Sequence, residues 1–142
     1  MFFRSLNNRN NQMIQNNYSV FDDIKTAISG NRGELFAVFT YLFQHFISQD
    51  KKISDAILEI AEDEMEHVEM LSHLLMENNI MPYFVDANNR FFTTQNVNYE
   101  TNPKVFLEQN IEAEREAIRE YNEILQRTDD EKIRQTIKEI ID

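Results

Sequence analysis

Glu64 and His67 stand three residues apart in a segment that has the periodicity of a long helix. This spacing places a carboxylate and an imidazole side by side on one face of the helix. The apolar residues that share this face are Ile57, Ile60, Leu71 and Leu74. The pair is therefore predicted to point into apolar surroundings, where an ionised carboxylate is costly unless its charge is compensated. A metal ion is the simplest compensation.

The composition restricts which ligands such a metal can have. The chain has 142 residues, enough for a single domain with one sizeable core, and it contains no cysteine. Disulfides and thiolate metal sites are therefore excluded, and only carboxylates and imidazoles remain as ligands for Mn, Fe or Zn. Only two Gly and two Pro are present, which favours long helices over short strands.

The formal net charge of −11 argues against nucleic acid or an anionic membrane as a partner. No segment has the run of about 18 apolar residues that a membrane span requires, and the N-terminal residues lack the apolar core of a secretion signal. The sequence therefore predicts a cytoplasmic protein without a membrane partner.

Four helical segments follow a polar N-terminal arm. The arm comprises residues 1–19 and is rich in Asn, whereas residues 20–142 carry helical periodicity. The predicted helices are 20–47, with a break near Gly30 and Gly33, then 51–78, 103–127 and 130–142. Asp50 is a plausible N-cap of the second helix, and Asn102 followed by Pro103 opens the third.

The lengths of the connections predict the topology. Short links join the first helix to the second and the third to the fourth, so each pair is expected to form an antiparallel hairpin. The link over residues 79–102 is unusually long for a compact domain and can run the length of a bundle. The predicted fold is all-α, an antiparallel four-helix bundle of ferritin-like arrangement, with a long crossover between helices 2 and 3 and a short fourth helix.

The two hairpins repeat each other at an offset of 80 positions. Glu34 aligns with Glu114, and Tyr41 aligns with Tyr121. Glu34 and Tyr41 lie on one otherwise apolar or aromatic stripe, and Glu114 and Tyr121 lie on another that includes Ile111 and Ile118. Both stripes, with their glutamates, are therefore predicted to point inward. The same offset maps Glu64 and His67 to positions 144 and 147, beyond the last residue. Either half of a site has been lost, or the sequence is part of a longer one, and we favour the second interpretation.

Three segments resemble the ferritin-like superfamily, specifically its bacterial rubrerythrin-like and manganese-catalase-like members. They are Gly33-Glu34-Leu35 to Tyr41-Leu42, Ile60-Ala61 to Glu64-Met65-Glu66-His67, and Glu112-Ala113-Glu114-Arg115-Glu116-Ala117-Ile118 to Tyr121. Members of this superfamily hold two metal ions with one Glu from each of helices 1 and 3 and a Glu-x-x-His from each of helices 2 and 4.

The resemblance implies Glu34, Glu64, His67 and Glu114 as metal ligands, with Glu64 and Glu114 as bridging carboxylates. It implies two Fe or Mn ions as cofactors, provided that the ligands of the fourth helix follow residue 142. Tyr41 and Tyr121 are expected either to donate hydrogen bonds to ligating carboxylates or simply to pack in the core. The absence of Cys excludes the additional iron site of a complete rubrerythrin.

The function predicted from this resemblance is a di-metal oxidoreductase that acts on peroxide or dioxygen. Two alternatives remain open: a protein that stores or handles iron, and a structural module, such as a spore-coat component, with an incomplete metal site. A homo-oligomer, with a dimer favoured, is also expected. Phe36, Phe39, Phe43 and Phe46 give the first helix a second apolar face, which either the crossover or a partner subunit would cover.

Overall fold

The computed structural model describes residues 19–142, so the predicted arm over residues 1–19 lies outside the described residues except for Ser19. The described chain is helical. Its helices are α1 (Val20–Ser29), α2 (Glu34–Ile47), α3 (Lys51–Glu77), α4 (Pro103–Arg127) and α5 (Glu131–Ile141), with a single turn of 3-10 helix at Thr94–Asn96. Among these residues the extended structure amounts to one isolated bridge between Val85 and Phe91.

The first long helix predicted from the sequence is divided into α1 and α2 by a short loop between Gly30 and Gly33. The loop packs tightly on the end of α1. A Cβ atom on Gly33 would lie 2.6 Å from the carbonyl oxygen of Ala27 and 3.0 Å from that of Ile28. Because only glycine fits this approach, α2 begins at Glu34.

Side chains cap the start of four helices. Asp50 accepts hydrogen bonds from the backbone N–H groups of Lys52 and Ile53 at the start of α3. Asn102 caps α4, with Pro103 in the first turn. Ser19 caps α1, and Asp130 caps α5. These caps satisfy donors that have no partner within the helix, and they fix where each helix begins.

Polar contacts establish that α2 and α4 are antiparallel. Glu34 contacts Tyr121, Tyr41 contacts Glu114, and Gln44 contacts Asn110, so residue numbers rise along α2 as they fall along α4. Helix α3 packs along α2, and α5 contacts both α4 and α3. The predicted fold class is confirmed: the chain forms a ferritin-like helical bundle with a long crossover, which lies between α3 and α4.

The crossover between α3 and α4 lies against α1 and α2. The backbone N–H of Ala87 donates to Thr26 of α1 at 3.2 Å, and that of Asn98 donates to Thr40 of α2 at 3.2 Å. Phe92 stacks on Phe39, with ring centroids 5.5 Å apart, and Tyr99 meets the edge of Phe43 at 5.1 Å. The crossover therefore covers part of the aromatic face of α2, whereas Phe46 remains 76% exposed.

Two apolar clusters fill the interior. The larger joins all five helices, with Leu35 contributed by α2, and its other buried members include Ile24, Leu71, Ile133 and Ile137. The smaller joins α2, α3 and α4 at the other end through Tyr41, Ile57, Ala61 and Phe106. Along α3, Glu64 lies between Ala61 of the smaller cluster and Leu71 of the larger one, and both Glu64 and Glu34 are buried. The polar site is thus flanked by apolar packing on both sides.

The apolar stripes are less completely buried than the sequence predicts. Ile60, Ile111 and Ile118 were expected to face inward, but they are 41%, 55% and 42% exposed. The prediction was wrong for these three residues. The described helices bury α4 at Phe106, Tyr121 and Ile124 and leave Ile111 and Ile118 between them exposed, and they leave Ile60 of α3 partly uncovered. None of the described helices is long and apolar enough to cross a membrane.

We expect Gly33→Ala to lower the free energy of unfolding by about 1–3 kcal/mol, because the new methyl group would press on the backbone of α1. Urea unfolding followed by circular dichroism measures this change. Asn31→Ala, in an exposed position of the same loop, is the control and should change the free energy by less than about 0.5 kcal/mol. Equal effects of the two substitutions would show that the loop does not need this close approach.

Candidate metal centre

Glu34 enters the site as the first residue of α2. Its N-cap is Gly33, whose lack of a side chain allows the helix to start directly against the end of α1. The Glu34 side chain is buried, and its Oε1 accepts a hydrogen bond from the hydroxyl of Tyr121 on α4. A carboxylate in the first turn of a helix is also favoured by the helix dipole.

Glu64 and His67 enter the site from the middle of α3. They lie one turn apart, and Nδ1 of His67 is 3.1 Å from Oε2 of Glu64. The same Nδ1 is 3.7 Å from Oε2 of Glu34. Glu34, Glu64 and His67 therefore form a group whose potential ligand atoms all lie within 4.8 Å of one another.

The electrostatics of this group reflect two carboxylates held close together away from water. Burial raises the pKa of Glu64 to about 7, with a further contribution from Glu34 and an opposing one from His67. Burial alone would lower the pKa of His67, but its contacts with Glu34 and Glu64 outweigh this and raise it to about 10. The imidazole is therefore protonated near neutral pH, and its positive charge compensates the carboxylates.

Glu114 lies on α4 and is not a member of the group of three. The residue is exposed as a whole, but its side chain borders a cavity of about 690 Å³ that also contacts Glu34, Glu64 and His67. Its Oε1 accepts a hydrogen bond from the hydroxyl of Tyr41. Partial burial of the carboxylate, together with the negative charge of Glu64, raises the pKa of Glu114.

Two tyrosines connect α2 and α4 in a reciprocal manner. Tyr41 on α2 donates to Glu114 on α4, and Tyr121 on α4 donates to Glu34 on α2. Burial and the nearby carboxylates raise the pKa of both phenols, so each hydroxyl keeps its proton and acts as a donor. Both are also buried members of the apolar clusters, so each residue combines the two roles that the sequence left open.

The interpretation of the sequence missed an amide pair next to Tyr41. Gln44 on α2 is fully buried, and its amide nitrogen donates to Oδ1 of Asn110 on α4 at 3.1 Å. The amide nitrogen of Asn110 donates in return to Oε1 of Gln44 at 2.6 Å. The spacing held a signal, because Gln44 lies three residues after Tyr41 and Asn110 lies four residues before Glu114, on the same helix faces.

The cavity also has an acidic margin on the side of α1 and the later part of α4. The acidic residues bordering the cavity, beyond Glu34, Glu64 and Glu114, are Asp23, Glu112, Glu120 and Glu123. The pKa of Glu120 is raised by burial and by the charges of Glu116 and Glu123. Arg32, His67 and Arg127 are the basic residues among those bordering the cavity, so carboxylates predominate there.

Residues 17–79, which contain α1, α2 and α3, match the family model of the manganese-containing catalases. Two crystal structures of the manganese catalase KatB from Anabaena, one of them the wild type, superpose on the chain with a TM-score of 0.76 and 25% identity. Each alignment covers 86% of this chain and 64% of KatB. No curated protein sequence matches it.

The chain has a ferritin-like helical-bundle fold, and it is similar to the manganese-containing catalases. It spans 64% of the length of the KatB chains that it matches. The side chains around Glu64 fit a manganese ion in their chemistry. They offer carboxylate oxygens and an imidazole nitrogen, which are ligands suited to Mn²⁺, and their present arrangement relies on the positive charge of His67.

We expect the stability of the metal-free protein to depend on the ionisation of Glu114. Because the pKa of Glu114 is raised in the folded state, the folded protein binds the proton more tightly than the unfolded chain does. Protonated Glu114 therefore stabilises the folded state below about pH 4.5, and this stabilisation is lost as the pH rises through the raised pKa of Glu114. Glu114→Gln, which cannot ionise, should therefore gain stability relative to the wild type as the pH increases.

Urea unfolding of metal-free wild type and Glu114→Gln between pH 4.5 and pH 8 measures the difference. Glu108→Gln is the matched control, since Glu108 is exposed on the same helix, and its difference from the wild type should vary less with pH. A Glu114→Gln difference that stays constant over this range would refute the raised pKa of Glu114.

Proposed function

We propose that this chain holds a pair of manganese ions and acts on hydrogen peroxide as a catalase-like oxidoreductase. The observation that carries the proposal is the meeting of two buried carboxylates and an imidazole from α2 and α3, within 4.8 Å of one another. The match of residues 17–79 to the manganese-containing catalases supports manganese rather than iron.

The residues that would hold the ions are Glu34, Glu64, His67 and Glu114. Glu64 and Glu114 are the proposed bridging carboxylates, as the resemblance implies, and all four residues border the same cavity. The Tyr121 and Tyr41 hydroxyls would hold one oxygen of Glu34 and of Glu114, respectively, which restricts the rotation of each carboxylate.

A bound manganese pair would supply the redox change by which peroxide is both reduced to water and oxidised to dioxygen. The protein would provide the surroundings. The apolar clusters on both sides of Glu34 and Glu64 limit the access of water to them, and in such surroundings charge interactions are stronger than in bulk water. The carboxylates bordering the cavity attract cations and repel anions, which favours a neutral substrate such as hydrogen peroxide over an anionic one.

Metal binding to the purified protein tests the first part of this proposal. Isothermal titration of metal-free protein with Mn²⁺ should show binding, and Glu64→Gln and His67→Ala should each weaken it by more than about tenfold, because each removes a ligand. Glu66→Gln is the matched control, because Glu66 lies between Glu64 and His67 on α3 but is exposed. The affinity of this variant for Mn²⁺ should match that of the wild type.

Oxygen release from hydrogen peroxide by manganese-loaded protein tests the second part. Glu64→Gln should lose this activity, whereas Glu66→Gln should retain it. Wild-type protein that binds neither Mn²⁺ nor Fe²⁺ would refute the metal centre and favour the structural module. Binding of many irons per chain without peroxide turnover would instead favour iron storage.

We further propose that the protein is a cytoplasmic homo-oligomer, with a dimer favoured. Support for association comes from exposed aromatic side chains: Phe46 of α2 is 76% exposed and Phe91 of the crossover is 75% exposed, and exposed apolar surface of this kind is typical of interfaces. Sedimentation velocity should give a dimer for the wild type, and Phe46→Glu should shift it towards monomer. Met76→Glu, at another exposed apolar position, should leave the dimer unchanged. A monomeric wild type would refute this part.

A further inference from the structure

We propose that the amide pair of Gln44 and Asn110 is a positioning device that fixes the local alignment of α2 with α4 at the Tyr41 end of their contact and thereby holds Tyr41 on Glu114. The positioning itself does not depend on a bound metal. Its consequence for catalysis, the orientation of the Glu114 carboxylate, rests on the proposed metal centre. The inference concerns two residues that lie outside the proposed ligand set.

The geometry of the pair makes it sensitive to register. Both side-chain amides donate and accept, at 3.1 Å and 2.6 Å, so the contact is complete only when the two helices have one axial offset. Sliding either helix by one residue would displace the groups by about 1.5 Å and break both bonds. Gln44 is fully buried. Without Asn110 its side-chain amide would have neither a protein partner nor water, at a cost comparable to a full desolvation penalty.

The position of the pair connects it to the Tyr41–Glu114 contact. Gln44 lies one turn beyond Tyr41 on α2, and Asn110 lies one turn before Glu114 on α4. The two interhelical contacts are therefore consecutive in an antiparallel ladder that also includes Tyr121 and Glu34. A polar pair buried between helices is an established means of specifying register, and it does so at some cost in stability.

The repeat shows why only one end of the ladder requires such a pair. At an offset of 80 positions the counterpart of Gln44 is Ile124, and that of Asn110 is Gly30. Ile124 is buried in the larger apolar cluster together with Tyr121, so packing fixes the Tyr121–Glu34 contact. Tyr41 belongs to the smaller cluster, and its partner Glu114 is exposed, so packing constrains that contact less.

The test uses the hydroxyl protons of the two tyrosines in metal-free protein. Proton NMR would detect each hydroxyl bonded to a carboxylate, with assignments from Tyr41→Phe and Tyr121→Phe. In Gln44→Leu, which conserves size, exchange of the Tyr41 hydroxyl with water should accelerate by at least about tenfold, since the net contribution of two hydrogen bonds corresponds to a factor of this order. Exchange of the Tyr121 hydroxyl, the internal control, should stay within about twofold because its contact lies at the other end of the ladder.

A double variant separates positioning from stability. Gln44→Leu combined with Asn110→Leu removes both polar partners, so it should recover most of the stability that either single variant loses. The Tyr41 hydroxyl should nevertheless continue to exchange rapidly, because two leucine side chains at these positions make no directional contact that replaces the paired amides. A Tyr41 hydroxyl as protected in the double variant as in the wild type would overturn the proposal, and so would equal acceleration at Tyr41 and Tyr121.

A double-mutant cycle on the unfolding constant gives a second measurement that needs no hydroxyl resonance. Gln44→Leu should be coupled to Tyr41→Phe: the unfolding constant of the double variant should deviate by about threefold or more from the product of the single effects. Gln44→Leu should not be coupled to Tyr121→Phe. Coupling of equal size to both tyrosines, or to neither, would contradict the inference. Because neither measurement uses metal, a failure of the proposed metal centre would leave both results interpretable.

Discussion

The repulsion between buried carboxylates is the interaction on which the rest of this structure depends. Glu34 and Glu64 come from different helices and are both almost fully buried, and a carboxylate in such a place is stable only when charge and hydrogen bonds compensate it. Protonated His67 supplies the charge, and the Tyr121 hydroxyl supplies a hydrogen bond to Glu34. The loop at Gly33 sets the start of α2 and so the position of Glu34. Together with the two apolar clusters, it fixes the carboxylates, the imidazole and the Tyr121 hydroxyl in place.

The two halves of the repeat share this constraint but meet it in different ways. Each half contributes a glutamate and a tyrosine, and each tyrosine donates to the glutamate of the other half. Glu34 starts a helix after a glycine loop and is buried in an apolar environment, whereas Glu114 lies within a continuous helix and is exposed. An approximate twofold relation thus holds for the hydrogen bonds, while the packing around them differs. Register at the less packed end therefore depends on polar contacts.

Much of this arrangement could be predicted from the sequence, because it follows from periodicity and length. The spacing of Glu64 and His67 placed them on one helix face, and the offset of 80 positions selected Glu34 and Glu114 from many other glutamates. The length of residues 79–102 predicted the crossover and hence the fold class, which the structure confirms. These signals are local or repeated, so a single sequence contains them in full.

The remainder depends on distances between helices, which a single sequence does not specify. The exposure of Ile60, Ile111 and Ile118 reflects where other helices lie, and their apolar character alone predicted burial. The amide pair joins residues 66 positions apart. The spacing places each residue on the helix face of its tyrosine or glutamate, but it does not identify the partner across the helices. The same limit applies to the separation of Glu114 from the group around His67, because it is set by how closely α4 approaches α3. That approach is controlled by packing at the ends of α4, around Phe106 and Ile124. A site built in this way obtains its geometry from apolar contacts about two turns away, so substitutions at those apolar positions would alter the site without touching any of its polar groups.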